Sequence, residues 1–217
     1  MLDQNGKENS RNKTPLYGLV LAGGRSTRMK EDKSLLKYHG KSQTEHCFGL
    51  LSKLCERVFV SNRKDQSELP GHKAFPQIHD TFLNMGPLDG ILSAMAKYSH
   101  AAWLVLACDL PFVDENVLAA LIKKRDPLKI ATAYRSTNDD LPEPLCAIYE
   151  PRSISSLLKF LTDGYTCPRK ILINSDIHLI EQDRKVSLEN INNPEEYQSV
   201  YDALQSQTTN ANGPSEQ

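Results

Sequence analysis

The chain has 217 residues, with 26 Lys and Arg against 27 Asp and Glu, a formal net charge of −1 and an isoelectric point near 6.6. That length buries one sizeable core and sets a single domain as the default, while the balanced charge argues against a broad nucleic-acid-binding face. Five cysteines (Cys47, Cys55, Cys108, Cys146 and Cys167) are scattered without a Cys-x-x-Cys pair, which argues against a disulfide framework or a zinc site and fits a reducing cytoplasm.

Residues 1–14 are polar and carry no apolar leader-like run, so they are expected to be a disordered tail ahead of one domain over residues 15–205. No apolar stretch approaches the length needed to span a membrane. Leu16 to Val20 is a short apolar run suited to a buried strand, and Leu21 to Lys33 follows it directly. In that stretch Gly23 and Gly24 allow a sharp turn and close approach of a ligand to backbone amides. Arg25, Arg28, Lys30 and Lys33 outweigh Glu31 and Asp32 there, a composition suited to a polyanion such as a nucleoside triphosphate.

After a turn at His39-Gly40, the spacing of Cys47, Leu50, Leu51 and Leu54 predicts a helix over 44–55. Strands are predicted over 58–61 and 77–79, the second ending at Asp80. Turn residues at Asn84-Met85-Gly86-Pro87 lead into a helix over 88–98 that buries Ile91, Leu92 and Met95. The continuous apolar run Trp103 to Ala107 reads as a strand covered on both faces and ends in Cys108-Asp109-Leu110-Pro111. Asp114 caps a predicted helix over 115–125, and strands over 130–134 and 145–149 flank a polar loop from Ser136 to Pro144. A helix over 153–163 closes at Gly164 with Ile154, Leu157, Leu158 and Leu161 facing inward. A short helix near Arg169, a strand over 178–181, a helix from Pro194 and a second polar tail over 206–217 complete the chain.

The alternation of strands and helices implies an α/β fold, Rossmann-like, with a mostly parallel central sheet in a three-layer α/β/α sandwich. Right-handed crossovers place the strand-to-helix loops at one edge, so the glycine loop and Asp109 should meet at the carboxyl edge of the sheet. The loop is neither of two common phosphate binders. Counting from Gly23, a Walker A loop needs glycine where Arg28 stands, and the adjacent glycines break the dinucleotide fingerprint. Such an edge suits a bound triphosphate: amides around Ala22, Gly23 and Gly24 are expected to cradle phosphates, Arg28 and Lys33 to neutralise their charge, and Asp109 to offer a hard oxygen ligand to Mg²⁺.

Leu21-Ala22-Gly23-Gly24, Ser26, Arg28-Met29 and Asp32-Lys33 together resemble the signature of the molybdenum cofactor guanylyltransferases, the MobA family. Ser61-Asn62-Arg63, Asp80, Gly86-Pro87-Leu88-Asp89-Gly90, Cys108-Asp109-Leu110-Pro111, Pro144 to Tyr149 and Asn190 to Glu196 resemble further motifs of that family, in its order. One position departs, since Lys30 stands where the family has glycine. The resemblance implies a nucleotide-diphospho-sugar-transferase-type fold and a nucleotide site of Leu21, Ala22, Gly23, Gly24, Lys33, Asn62, Asp80 and Asp109. It implies that Asn62 and Asp80 contact the nucleoside, and that Asn190 and Asn192 hold the metal or the second substrate. The implied reaction joins GMP from GTP to the phosphate of molybdopterin-bound molybdenum, releasing pyrophosphate, with cofactor-delivering or molybdoenzyme-maturation proteins as further partners.

Competing readings of the same loop are a cytidylyltransferase acting on the same pterin cofactor and a sugar-phosphate nucleotidyltransferase. The length leaves little room for a sugar-binding subdomain. A nucleotide-binding regulatory module is a reading from another class, and retention of both Lys33 and Asp109 argues against it. Arg169 and Lys170 read as a solvated helix end, the six histidines show no ligand spacing, and the cysteines read as small apolar fillers.

Overall fold

The structure is a computed structural model and describes residues 14–23, 40–82, 85–182 and 188. Gly24, Arg28, Lys33, Asn190, Asn192 and the helix expected from Pro194 lie outside the described residues. Seven strands form one sheet: β1 (Leu16–Leu21), β2 (Arg57–Asn62), β3 (Gln77–His79), β4 (Ala102–Ala107), β5 (Ala131–Arg135), β6 (Pro142–Tyr149) and β7 (His178–Ile180). Their order is β3-β2-β1-β4-β6-β5-β7. Every described pairing is parallel except those of β6, which runs antiparallel to both β4 and β5. The mostly parallel sheet expected from the alternation is therefore present, with one hairpin where two strands follow each other without a helix.

The helices are α1 (Gln43–Ser52), α2 (Pro87–Lys97), α3 (Glu115–Lys123), α4 (Ser153–Thr162) and α5 (Pro168–Ile173). Strand alternation divides the core in two. Leu16, Val20, Val58, Val60, Leu104 and Leu106 pack with Cys47 and Leu51 of α1 and with Leu118 and Leu121 of α3. On the opposite face Tyr17, Leu19, Phe59, Trp103 and Val105 pack with Leu88, Ile91, Leu92 and Met95 of α2, Leu157 of α4 and Ile171 of α5. The central strands β1 and β4 bury both faces, which is why their sequences read as continuous apolar runs.

Two boundaries and one side chain depart most from the sequence reading. The first helix ends at Ser52 rather than Cys55, because the amides of Lys53 and Leu54 turn back onto the carbonyls of Leu50 and Leu51. β6 starts at Pro142, inside the stretch expected to be a loop. Its two early prolines lie outside the segment paired with β4, which spans Cys146 to Tyr149, and Pro142 meets Arg135 beyond a register shift in β5. The missing N–H groups therefore interrupt neither regular ladder. Leu158 is 40% exposed instead of facing the core, since the buried line of α4 runs through Ser153 and Leu157.

One buried ion pair ties the two halves of the sheet's periphery together. Arg125, just past α3, donates from Nε to Glu150 Oε1 at 2.6 Å and from Nη2 to Oε2 at 2.8 Å. The side chains are 10% and 1% exposed respectively. A fork-to-fork pair this dry supplies geometry as well as charge compensation.

Candidate active site at the carboxyl edge

The ladder continues past the ends of β1 to β4 and carries the site residues with it. Ala22 N donates to the Ser61 carbonyl at 2.9 Å, Asp80 N to the Asn62 carbonyl at 3.0 Å, and Cys108 N to the Leu21 carbonyl at 3.3 Å. Ala22, Gly23, Asp80 and Asp109 are thereby brought to one edge, as the topology required. Asp109 stands on the β4 side of β1, and Asn62, Arg63 and Asp80 stand on the other.

Two glycines make this close convergence possible. A Cβ on Gly23 would lie 3.0 Å from Asp80 Oδ2 and 3.2 Å from Asn62 Cα. A Cβ on Gly90, in the first turns of α2, would lie 2.2 Å from Ser61 Oγ and 2.9 Å from Leu21 Cδ2. That space is what Ser61 uses to donate to Asp80 Oδ1 at 2.8 Å.

The residues after Asp80 are tied to α2 by a buried acid that the sequence reading left inside a turn motif. Asp89, 3% exposed, accepts from Phe82 N at 2.8 Å and from Ser93 Oγ at 3.3 Å. Ser93 Oγ in turn accepts from Thr81 N at 2.9 Å. The signal for this role was Asp89 at an otherwise apolar helix start, where it serves the backbone rather than a ligand.

Asn62 is held by a buried network of its own. Its side chain is wholly buried, with Nδ2 2.8 Å from Gln77 Oε1 and 3.1 Å from His72 Nδ1, and Oδ1 2.8 Å from His79 Nδ1. Gln77 Nε2 donates to the carbonyls of Ser67 and His72, which fixes its Oε1 toward Asn62. Asn62 Oδ1 then faces His79, so His79 donates from Nδ1 and keeps its lone pair on Nε2 when neutral. The side chain of Asn62 therefore organises its neighbours.

Asp80 is half-buried, and burial is the largest cause raising its carboxyl above the ordinary carboxylate range. The negative charge of Asp89 adds to the rise, while the Ser61 hydrogen bond, Arg63 and His79 oppose it. A native pKa above the unfolded one means that the folded chain binds more protons between the two values, so this group's contribution to stability falls as pH rises through that window. Asp80→Asn is accordingly expected to raise the unfolding midpoint at pH 7 relative to the parent, and the gain should vanish toward low pH. Equal midpoints for the two proteins across that range, followed by thermal unfolding, would count against a strained carboxylate.

Asp109 is half-buried at the β4 end. Among the described residues no group of three or more His, Cys, Asp or Glu gathers as a metal site. A single carboxylate fits a hard divalent cation that takes its other oxygens from phosphates and water, as Mg²⁺ does. Below it lies soft packing. Thr44 Oγ1 is 3.8 Å from Cys108 Sγ, Cys47 Sγ reaches the Ala107 carbonyl at 4.0 Å, and burial pushes the Cys146 thiol up to about 12. The neighbouring Cys108 thiol and burial also hold the Cys47 thiol up, and all three side chains pack as small buried fillers, as their scatter suggested.

On the far side of the edge, Arg169 donates to Asp139 Oδ2 and Glu143 Oε2, both at 2.9 Å. Its charge is thus matched by two carboxylates, so Arg169 is paired rather than the solvated helix end that the sequence suggests. The described residues contain no helix long and apolar enough to cross a membrane.

Comparison with known proteins agrees with this geometry. The chain is 36% identical over 200 residues to a molybdenum cofactor biosynthesis bifunctional protein of Synechocystis, covering 92% of this chain and 58% of that protein. It is 28% identical over 186 residues to a probable molybdenum cofactor guanylyltransferase of Nostoc, covering 83% and 88% of the two chains. The crystal structure of molybdopterin-guanine dinucleotide biosynthesis protein A from Archaeoglobus fulgidus superposes with a TM-score of 0.73 at 22% identity, covering 88% of this chain and 99% of that one, and so shares the fold. The MobA-like NTP transferase domain matches residues 18–179. With that match spanning most of the sheet and all of its carboxyl edge from β1 to β4, the chain belongs to the MobA-like NTP transferase family.

Proposed function

We propose that the chain transfers GMP from GTP to the phosphate of molybdopterin-bound molybdenum, with release of pyrophosphate. The observation that carries this reading is the convergence of Ala22-Gly23, Asp80 and Asp109 on one sheet edge within a MobA-like domain. A terminal phosphate oxygen of the pterin cofactor attacks the α-phosphorus of GTP, and the bond to the β-phosphate oxygen breaks. The attacking group is already anionic, so the chain's task is positioning and charge stabilisation rather than activation of a nucleophile.

The amides of Ala22, Gly23 and Gly24 receive the phosphates, with Leu21 as the strand-end support. Arg28 and Lys33 neutralise charge that shifts toward pyrophosphate. Asp109 holds Mg²⁺, which when bound neutralises and orients phosphate oxygens. Asn190 and Asn192 serve the metal or the pterin substrate. Asp80 presents a carboxylate beside Gly23. Guanine offers adjacent N1–H and N2–H donors to such an acceptor, whereas the pairing edge of cytosine offers one donor group and two acceptors. Asn62 contributes through His79 and Gln77. The setting is the cytoplasm, with proteins that deliver the cofactor or receive it as further partners.

The test is pyrophosphate release with each nucleoside triphosphate, Mg²⁺ and molybdenum cofactor or molybdopterin. Release with GTP and the pterin together is the expected result. Release that requires CTP, or that proceeds with a sugar phosphate as acceptor, would overturn the assignment.

A further inference from the structure

Arg63, the residue after β2, reaches across to Gly23, just past the end of β1. Asp65 takes one edge of its guanidinium, with Nε to Oδ1 and Nη2 to Oδ2 both at 3.0 Å. That leaves Nη1 aimed at the carbonyl oxygen of Gly23, at 2.9 Å. The Arg63 backbone is fixed as well, since its N–H donates to Gln66 Oε1 at 3.2 Å. Its side chain is 28% exposed, so the contact is partly shielded from water. An anchor on the oxygen limits the torsion of Gly23 about its bond to that carbonyl, at a residue type whose backbone freedom is otherwise wide. A charge-assisted bond to a single carbonyl is an unusual use of an arginine unless the orientation of that carbonyl matters.

We propose that Arg63 is a positioning residue for the nucleotide's phosphates, holding the Gly23 carbonyl so that the backbone at the end of β1 is set for a triphosphate before one binds. Asp65 orients the guanidinium, and the cation adds to the positive field at the end of β2. The proposal rests on the nucleotidyltransferase reading but makes a separate claim. Phosphates are common to all nucleoside triphosphates, so the clamp acts without regard to the base, whereas Asp80 discriminates between bases.

The experiment is initial-rate kinetics on the full chain with Mg²⁺ and the pterin acceptor, using GTP and CTP, for the parent, Arg63→Gln, Arg63→Lys and Asp65→Asn. Arg63→Gln is expected to raise the nucleotide KM about tenfold, by the same factor for both nucleotides, with kcat changed by less than about threefold. Arg63→Lys keeps a donor but loses the fork and should fall between the two, as should Asp65→Asn. An unchanged KM, a loss confined to kcat, or a loss selective for one base overturns the clamp. If Arg63→Gln does not fold, the Arg63→Lys result decides by the same criteria. A parent that prefers CTP ends the guanylyl assignment while equal factors for both nucleotides keep the clamp. A parent that turns over neither moves the decision to equilibrium binding of inorganic tripolyphosphate. There, binding about tenfold weaker in the Arg63 variants keeps the proposal, and equal binding ends it.

Discussion

Asp109→Asn is expected to lower turnover about a thousandfold while the circular dichroism spectrum and unfolding midpoint stay close to those of the parent. The carboxylate lies at the end of β4, the strand bonded to β1 over its whole length and to β6 on the other side. Its backbone is thus carried by the best-paired part of the sheet. Asparagine has nearly the same shape and keeps one oxygen, but it lacks the charge that holds a divalent cation against phosphate. The nucleotide KM should change less than kcat, because the charge that matters most develops as pyrophosphate leaves. Rates within about tenfold of the parent at saturating Mg²⁺ would remove Asp109 from the metal role.

Arg125→Ala should lower stability by about 3–5 kcal/mol. It leaves Glu150, 1% exposed, without the fork that compensates its charge. For a domain of this size that corresponds to a fall in unfolding midpoint of roughly 6–20 °C, measurable by differential scanning calorimetry. Replacing both partners with apolar groups, as in Arg125→Met with Glu150→Leu, should recover most of the loss, since the cost lies in the stranded charge rather than in the missing pair. A single variant within about 1 kcal/mol of the parent would show that the pair is relaxed by water or by movement of its loop.

The sequence revealed the sheet because burial on both faces writes itself as uninterrupted apolar runs at β1 and β4. It revealed the shared edge because strand-to-helix loops in such a sheet have a fixed hand. It did not reveal the early start of β6, since Pro142-Glu143-Pro144 reads locally as a loop and only the ladder geometry makes those prolines harmless. The Arg125–Glu150 fork is separated by 25 positions and leaves no periodic trace. Within the site, motif spacing located Asp80 and Asp109 but could not tell a ligand contact from a support. Asn62 stands in a motif whose spacing gives no sign that its amide also meets Gln77 and His79. Arg63 went without a role for the opposite reason, because its partner is a backbone carbonyl 40 positions away.

The short β3 strand has a consequence for how the family's chemistry can change. Asp109 follows a six-residue strand bonded on both sides, whereas Asp80 follows a three-residue strand at the rim, paired with β2 alone. Local opening should therefore cost far less at the Asp80 end than at the Asp109 end. Substitutions around β3 are absorbed by a margin that yields, and those around β4 propagate into the centre of the sheet. On the roles proposed above, base preference at the Asp80 end is expected to change more readily than phosphate chemistry at the Asp109 end.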